Sequence, residues 1–517
     1  MIQIKKGLKN NRTSKSSQKR WSTTRIVFSG IVLVGCIVAL VALNKLSSEK
    51  SNFNANASTE KPNIVFIMTD DENIDSVAKM PYLSSRTDWI TFDNAFLNVS
   101  LCCSSRSTIL TGQYDSHTGV LNNVPPNDGQ KLNEANTLPI WLQQGGYKTA
   151  MIGKYLNGYP WNRGEYIPAG WNEWQAFTKP GPAYYNYTLN ENNTTRTYGS
   201  TAADYSTDVL ATKAVNFINT AQGPFFLYFA PNAPHSPFTP APRHKGKYLN
   251  EPVPHDQSFN EADVSDKPAY IRNLVKPNAY NLDANRRKTW EMMLAVDDSL
   301  KKIDDALVAR GVADNTIIIF MTDNGFAYGE HRWQKKRCPY SVCMRTPLLV
   351  RYPGQQAKHV PQLVQNIDIA STISQIAGVT PGIYQDGMSL VPLIEGTSQS
   401  WRNELLQKWG GGGKVSADNP PNFFSVRTEQ YLYTEYVTGE KELYDYAIDP
   451  YEVNNQAGKP AYATIQNDLV SRLQALKQKA TAPAPTNQIY PTATQVPFNP
   501  NSAPTPTYNP LLSNPDE

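Results

Sequence analysis

Short apolar runs rich in β-branched residues alternate along the chain with stretches in which apolar residues recur at helical spacing. Two such runs, residues 63–68 and 316–321, have the length of a buried strand and are followed directly by polar residues. Over residues 290–307, apolar side chains recur three, four or more positions apart, which predicts an amphipathic helix ahead of the second strand. Buried strands that alternate with helices predict an α/β domain with a mainly parallel sheet.

A smaller unit is predicted near the C-terminus. Residues 424–436 alternate imperfectly between apolar and polar side chains, and a turn and a short return strand follow, which predicts an antiparallel hairpin. Helical spacing over residues 463–479 predicts a helix that covers this hairpin. We therefore expect a large domain over residues 61–400 and a C-terminal subdomain, an antiparallel sheet with a helix, over residues 401–480.

The two ends of the chain differ from this pattern. Residues 1–25 form a basic tail with eight of the 49 Lys and Arg residues and no acid, and residues 26–43 are uncharged and mostly apolar. A helix needs ~20 apolar residues to cross a bilayer, and positive flanks stay on the cytoplasmic side. We therefore predict a transmembrane signal-anchor. Residues 44–60 are predicted to be a flexible linker, and residues 481–517, rich in Pro, Thr and Asn, an extended disordered tail.

Charge and cysteine content fit an exported protein. The net charge of +4 comes from the basic tail, because the other 41 basic residues (49 − 8) are outnumbered by 45 acidic ones. The rest of the chain is slightly acidic, so no nucleic-acid-binding face is expected. Five cysteines are too few for a disulfide scaffold, but Cys338 and Cys343 are close enough in sequence to form a bridge. A cleaved signal peptide and a lipoprotein site at Cys36 stay open as alternatives to the anchor.

Side-chain oxygens follow both predicted strands at the point where each strand ends. Asp70 and Asp71 come after the first strand, and Asp323 and Asn324 come after the second. In open parallel sheets, ligands collect at the carboxyl ends of strands, so these oxygens can converge on a hard cation, calcium or magnesium. No cluster of His and Cys accompanies them, which argues against zinc. Plain strand-end turns remain an alternative interpretation of each pair taken alone.

A third element lies between the two strands. The segment from Cys102 to Gly112, CCSSRSTILTG, resembles the sulfatase signature C-x-[PA]-S-R-x-x-x-L-T-G, whose first Cys is oxidised to formylglycine after translation. Further landmarks follow in the order of that family, among them Gly153-Lys154, Ala233-Pro234-His235 and Lys336-Arg337. Within the family, the chain is most similar to N-acetylglucosamine-6-sulfatases and related heparan-type sulfatases.

This resemblance implies both a fold and an activity. The implied fold is alkaline-phosphatase-like, a large domain with a mainly parallel mixed sheet flanked by helices, plus the C-terminal subdomain. The implied activity is hydrolysis of a sulfuric ester on a sulfated carbohydrate of the 6-O-sulfated N-acetylglucosamine type. A formylglycine-generating enzyme is then a partner during maturation, and the catalytic domain is expected outside the cytoplasm.

The resemblance also assigns roles to individual residues. The ligands of one Ca²⁺ ion are expected to be Asp70, Asp71, Cys102, Asp323 and Asn324. Hydrated formylglycine at position 102 is expected to attack sulfur, after which its second hydroxyl loses a proton and sulfate is released. Arg106 and Lys154 are expected to hold position 102 and the anion. His235 and Lys336 are expected to contact the leaving oxygen and supply its proton.

Several positions leave questions open. Ser104 stands where the family usually has Pro or Ala, which leaves the efficiency of formylglycine formation open. Leu156 stands where many sulfatases have His. The glucosamine-sulfatase branch shares this Leu. His117 and His331 lie near motif positions and are either pocket residues or structural ones. Two other functions remain possible: a phosphoesterase or phosphonate hydrolase of the same superfamily, and a non-catalytic cell-surface glycan-binding protein that keeps Cys102 as a thiol.

Overall fold

A ten-stranded sheet forms the centre of the computed structural model, which describes residues 61–485 with the exception of 180 and 418. In the described residues, four further strands form a second sheet and two form a short ribbon. The strands in chain order are β1 (Asn63–Thr69), β2 (Ile90–Phe96), β3 (Lys148–Gly153), β4 (Glu173–Phe177), β5 (Thr188–Glu191), β6 (Thr194–Thr197), β7 (Phe225–Ala230), β8 (Thr316–Thr322), β9 (Ala327–Tyr328), β10 (Gln334–Lys335), β11 (Leu348–Arg351), β12 (Lys358–Gln365), β13 (Glu404–Trp409), β14 (Phe423–Thr428), β15 (Tyr431–Tyr436) and β16 (Lys441–Asp445).

The large sheet has the strand order β12-β2-β11-β8-β1-β7-β3-β4-β5-β6. Its centre is parallel: β1 pairs with β8 and with β7, and β7 pairs with β3. β11 and β5 run antiparallel to their neighbours, so the sheet as a whole is mixed. Every residue of β1, β7 and β8 is buried, as expected for apolar strands with helices on both faces. The predicted fold class is confirmed.

Helices cover both faces of this sheet. The α-helices of the described residues are α1 (Pro81–Ser85), α2 (Cys102–Thr111), α3 (Asp115–Thr118), α4 (Leu138–Gln144), α5 (Ser206–Thr220), α6 (Ala269–Arg272), α7 (Ala279–Ala309), α8 (Ser341–Met344), α9 (Asp368–Ala377), α10 (Val391–Glu395) and α11 (Ala463–Thr481). Alternate side chains of β1 enter two separate core layers: Val65 and Ile67 pack with residues of α5 and α7, whereas Ile64 and Phe66 pack with residues of α2, α4 and α9.

The helix predicted over residues 290–307 is confirmed as part of α7, which begins eleven residues earlier in the chain. Its first turn is capped by Asn278, whose side chain accepts a hydrogen bond of 3.1 Å from the Asn281 backbone N–H. The helix ends before Gly311, which has φ +71°, a conformation that glycine adopts without steric penalty.

The small C-terminal sheet has the order β13-β14-β15-β16, and all its pairings are antiparallel. The single strand predicted over residues 424–436 is wrong, because a turn divides this stretch into β14 and β15. The hydroxyl of Thr428 accepts a hydrogen bond of 2.8 Å from the Tyr431 N–H, which closes the turn without Gly or Pro. The predicted covering helix is confirmed as α11, whose Leu469 and Leu473 are buried with residues of this sheet.

Several predicted segments fall outside the described residues: the basic tail (1–25), the membrane anchor (26–43), the linker (44–60) and most of the C-terminal tail, beyond residue 485. Within the described part, no helix combines the length and the apolar character needed to cross a membrane. The predicted bridge between Cys338 and Cys343 is confirmed, with a distance of 5.7 Å between the two Cα atoms.

Candidate functional site

The carboxyl ends of four neighbouring strands meet at one edge of the large sheet. β8, β1, β7 and β3 are adjacent and parallel, so the residues that follow each of them leave the sheet on the same side. The predicted site residues in these positions are Asp323 and Asn324 after β8, Asp70 and Asp71 after β1, His235 after β7 and Lys154 after β3. The fold thus brings together residues that lie far apart in the sequence.

Cys102 is fully buried and is the first residue of α2, at the same edge of the sheet. Its thiol lies 3.6 Å from Oδ1 of Asp70. The next backbone N–H, that of Cys103, donates a hydrogen bond of 2.9 Å to the Asn123 side chain, which fixes the start of the helix. The N-terminus of a helix carries a partial positive charge, so this position favours an anion.

Asp71 links the two strand ends. Its Oδ1 accepts a hydrogen bond of 2.6 Å from Asn324 Nδ2 and one of 2.5 Å from Lys336 Nζ. Its backbone N–H donates to Oδ1 of Asp323 at 3.2 Å. All four side chains are buried, so the strand-end residues are not simple surface turns.

Arg106 and Lys154 are buried cations that are paired with the acids of the cluster. Lys154 Nζ donates to Oδ2 of Asp70. Arg106 Nε donates to Oδ2 of Asp323 at 2.8 Å, and Arg106 Nη1 donates to the Lys154 carbonyl oxygen at 2.7 Å. Neither residue is an ordinary solvent-facing charge, and together they link the acids of β1 and β8 to the helix of Cys102.

Lys336 and His235 approach the cluster from two different loops. Lys336 Nζ donates to the Cys102 sulfur at 2.9 Å. His235 Nε2 lies 3.5 Å from Oδ2 of Asp71, and its Nδ1 lies 2.6 Å from the Ser236 carbonyl oxygen. Because a carbonyl oxygen only accepts, Nδ1 must carry a hydrogen, which leaves Nε2 to face the cluster.

The electrostatics of the cluster follow from burial and from these pairs. Burial alone would raise the pKa of Asp70, but the positive charges around it, of which Lys154 contributes most, together outweigh burial and lower that pKa to about 2. Burial also raises the pKa of Asp71, yet the neighbouring positive charges, of which Lys336 contributes most, together hold that pKa below its ordinary value. Burial raises the pKa of the Cys102 thiol to about 12. Asp70 and Asp71 are therefore anionic at neutral pH.

The donor set fits a hard divalent cation. One ligand atom each of Asp70, Asp71, Cys102 and His235 lies within 4.8 Å of the others. Oδ1 of Asn324 is buried and has no hydrogen-bond partner, a state that a cation would relieve. Carboxylate and amide oxygens are the ligands that calcium and magnesium prefer. His235 was not among the predicted ligands, although its ring reaches the same group of atoms.

His117 and His331, whose roles the sequence left open, make contacts outside this cluster. His117 Nδ1 lies 2.7 Å from Oδ2 of Asp386, and its Nε2 lies 2.9 Å from the Ala482 carbonyl oxygen. His331 is buried, with Nδ1 2.8 Å from Oε2 of Glu261. Both arrangements are those of structural histidines.

Tyr184 contributes to the site but was missed by the sequence analysis. Its hydroxyl donates to the carbonyl oxygen of His235 at 2.5 Å and lies 3.1 Å from that of Asn232. Tyr184 is buried, so it holds the backbone of the His235 loop in place. No motif surrounds it in the sequence, and its role depends on a contact across 51 positions.

Comparisons with known proteins agree with this geometry. Residues 62–379 match the family model described as Sulfatase, and residues 329–479 match the model described as N-sulphoglucosamine sulphohydrolase, C-terminal. The chain is 36% identical over 390 residues to the N-acetylglucosamine-6-sulfatase of Homo sapiens, which covers 71% of this chain and 70% of the human protein. It is 30% identical over 421 residues to the extracellular sulfatase SULF-1 homolog of Drosophila melanogaster, covering 74% of this chain and 36% of that protein.

A solved structure shows the same fold with a bound substrate. The protein BT4656 in complex with its substrate D-glucosamine-2-N,6-O-disulfate matches 82% of this chain and 98% of its own, with a TM-score of 0.72 and 26% identity. The family model alone spans more than half of the 517 residues. The chain therefore belongs to the sulfatase family of enzymes.

Proposed function

We propose that this sulfatase removes 6-O-sulfate from N-acetylglucosamine-type residues of sulfated carbohydrates. The observation that carries the proposal is the position of Cys102, buried at a helix N-terminus and in contact with Lys336 and Asp70. The name of the human relative and the substrate of BT4656 both point to sulfated glucosamine.

Cys102 is proposed to be the residue that is converted to formylglycine. When formed, the hydrated aldehyde supplies a nucleophilic oxygen for attack on sulfur and a second hydroxyl that allows sulfate to leave. The role of Arg106 and Lys154 is to hold position 102 and the charged groups around it, as their bonds to Asp323 and Asp70 support. Both cations are buried, so they are already in place before substrate arrives.

The proposed ligands of a calcium ion are Asp70, Asp71, Asp323, Asn324 and the modified residue 102. A bound calcium ion would neutralise sulfate charge at this edge of the sheet. The unpartnered Oδ1 of Asn324 supports its inclusion. The bond from the Asp71 N–H to Asp323 Oδ1 keeps the two strand ends in register for the same ion.

Lys336 and His235 are the proposed proton donors to the leaving oxygen. Lys336 Nζ lies 2.9 Å from the side-chain atom of residue 102, which places a donor next to the reacting group. Because the Ser236 carbonyl oxygen accepts the hydrogen on Nδ1, Nε2 is the nitrogen that faces the cluster, and it can donate a proton only when the ring is in its imidazolium form. An alkoxide leaving group of a sugar needs such a proton.

The proposed location is outside the cytoplasm, with residues 26–43 as a membrane anchor or, alternatively, a cleaved or lipid-modified export signal. The name of the Drosophila relative, an extracellular sulfatase, supports the location of the catalytic part. We retain the division into a catalytic domain over residues 61–400 and a C-terminal subdomain over residues 401–480.

The test combines mass spectrometry with kinetics on protein made together with a formylglycine-generating enzyme. The peptide that contains Cys102 is expected to lose roughly 18 Da relative to the thiol form. Initial rates on N-acetylglucosamine-6-sulfate are expected to exceed those on an isomer sulfated elsewhere on the ring. A thiol that stays unmodified while the protein still binds sulfated glycan would favour a glycan-binding protein. Faster cleavage of an aryl phosphate than of the matching aryl sulfate would favour a phosphoesterase.

A further inference from the structure

A cavity of about 640 Å³ adjoins the proposed reaction centre. One wall is the segment after β3, from Lys154 to Tyr159, and the other is formed by residues that end and follow β4, including Phe177 and Lys179. β3 and β4 are parallel neighbours, so both segments leave the sheet at the edge that carries Asp70. Lys154 belongs both to the cavity wall and to the catalytic cluster, which makes the cavity a lateral extension of the site.

Both charged residues that line this cavity are cations. The charge of Lys154 is balanced by its ion pair with Asp70. Lys179 is exposed, and its ammonium group donates a hydrogen bond of 3.1 Å to the neutral amide oxygen of Asn162. No carboxylate of the described residues forms an ion pair with Lys179, so its positive charge is available to a ligand.

The rest of the wall is apolar and rigid. Leu156, Tyr159 and Phe177 line the cavity and are each almost completely buried. The Tyr159 hydroxyl accepts hydrogen bonds from Trp174 Nε1 at 2.9 Å and from Asn190 Nδ2 at 3.0 Å, which fixes its ring. An apolar wall with one unpaired cation suits a ligand that has a C–H face and a negative group, as an acidic sugar has.

We infer that Lys179 determines specificity by binding a second anionic group of the substrate, a sulfate or carboxylate other than the ester that is cleaved. The inference rests on the proposed function, because the scissile ester must lie at residue 102 for a neighbouring group to reach the cavity. A substrate with one negative group would gain nothing from Lys179, whereas one with two would bind more tightly.

The test compares kinetics of wild type, Lys179→Ala and Lys179→Arg on three substrates. The first is N-acetylglucosamine-6-sulfate, the second adds a sulfate to the same sugar, and the third is a disaccharide that adds a uronic acid. The last two distinguish sulfate from carboxylate as the second anion. Lys301→Ala is the matched control, since Lys301 is an exposed lysine on α7 whose removal changes the net charge equally.

In Lys179→Ala, the preference for the doubly charged substrate over N-acetylglucosamine-6-sulfate is expected to fall about tenfold, the effect of losing one hydrogen bond to a charged group. The fall should lie in KM, should be recovered in Lys179→Arg, and should be absent in Lys301→Ala. The inference is overturned if Lys179→Ala reduces kcat/KM equally on all three substrates, or leaves the preference unchanged. A wild-type enzyme inactive on every sulfate ester would instead refute the proposed function, and the subsite with it.

Discussion

Asn324 and Asp71 lie 253 positions apart and are joined by a hydrogen bond of 2.6 Å from Asn324 Nδ2 to Asp71 Oδ1. This bond uses the amide nitrogen of Asn324 and leaves its Oδ1 buried without a hydrogen-bond partner. A buried oxygen without a partner is unfavourable unless an ion or water satisfies it. The arrangement therefore leaves a neutral oxygen donor unused on a residue bonded to a charged one, and calcium and magnesium bind oxygen ligands of both kinds.

Metal dependence is the first prediction. Chelation with EGTA is expected to abolish sulfatase activity, and added Ca²⁺ to restore it. Asn324→Ala removes a neutral oxygen donor, so we expect it to reduce kcat/KM by roughly 100-fold and to raise the Ca²⁺ concentration that restores activity. Kinetics at graded Ca²⁺ concentrations measure both effects.

Asn216→Ala is the control for that experiment, because Asn216 is exposed on α5 and has no role in the cluster. It should keep the activity and the Ca²⁺ response of the wild type. Normal activity and an unchanged Ca²⁺ response in Asn324→Ala would exclude Asn324 as a ligand.

Leaving-group dependence is the second prediction. Lys336→Ala is expected to lower kcat on N-acetylglucosamine-6-sulfate by roughly 100-fold or more, since a sugar alkoxide must be protonated as it leaves. The loss should be clearly smaller on 4-nitrophenyl sulfate, because a nitrophenolate leaves without a proton. Lys336→Arg keeps the charge but is a far weaker acid, so it should resemble Lys336→Ala on the sugar substrate. Equal losses of kcat on the two substrates would mean that Lys336 binds or positions the substrate and does not supply the proton.

The positions of the main candidate residues in the fold could be predicted because each depends on a local pattern. A buried apolar run followed by Asp identifies the carboxyl end of a strand, which located Asp70 and Asp323. The spacing within the Cys102 motif likewise depends on one helix, α2, in which Arg106 lies one turn after Cys102 and on the same face.

The remaining features depend on contacts between distant segments, which no local pattern reveals. The Tyr184 hydroxyl supports the His235 loop across 51 positions. The turn after Thr428 has no Gly or Pro, so the alternation of β14 continued into β15 as if they were one strand. The tautomer of His235 is set by a carbonyl oxygen that is visible only in three dimensions.

A buried ion pair gives the third prediction. Lys408 on β13 lies 2.8 Å from Oδ1 of Asp115 on α3, and both side chains are buried. Lys408→Ala leaves the Asp115 carboxylate buried and unpaired, so we expect the free energy of unfolding to fall by about 3–5 kcal/mol. Urea denaturation followed by circular dichroism measures this change.

Lys477→Ala is the matched control in the same part of the chain. Lys477 is 29% exposed and lies 3.8 Å from Glu435, so its loss should change the free energy of unfolding by less than ~1 kcal/mol. Similar losses in the two variants would mean that the free energy of unfolding depends no more on the buried ion pair of Lys408 than on the exposed pair of Lys477. If the double variant Lys408→Ala with Asp115→Asn recovers part of the lost free energy of unfolding, the unpaired charge of Asp115 is the cause of the loss.

The pH dependence of stability gives the fourth prediction. Asp297 on α7 accepts hydrogen bonds from the backbone N–H groups of Tyr82, at 2.6 Å, and Leu83, at 2.8 Å, and so caps α1. Burial raises the pKa of Asp297 from 3.8 to about 6, although these two N–H groups oppose the shift. Between pH 4 and pH 6 the folded protein therefore binds more protons at this carboxyl than the unfolded chain does. The Asp297 carboxyl contributes fully to the free energy of unfolding below pH 4. This contribution decreases by about 2–3 kcal/mol as the pH rises to 6.

Asp297→Asn removes the titrating group and retains one oxygen acceptor for α1. Between pH 4 and pH 6 its free energy of unfolding should therefore decrease less than that of the wild type, by about 2–3 kcal/mol, even if it is lower at every pH. Asp305→Asn, at an exposed carboxyl on α7, should keep the wild-type slope. Urea denaturation of the three proteins at pH 4, 5, 6 and 7 measures the slopes. Parallel curves for wild type and Asp297→Asn would show that the Asp297 carboxyl titrates alike in the folded and unfolded chain, which its burial against α1 argues against.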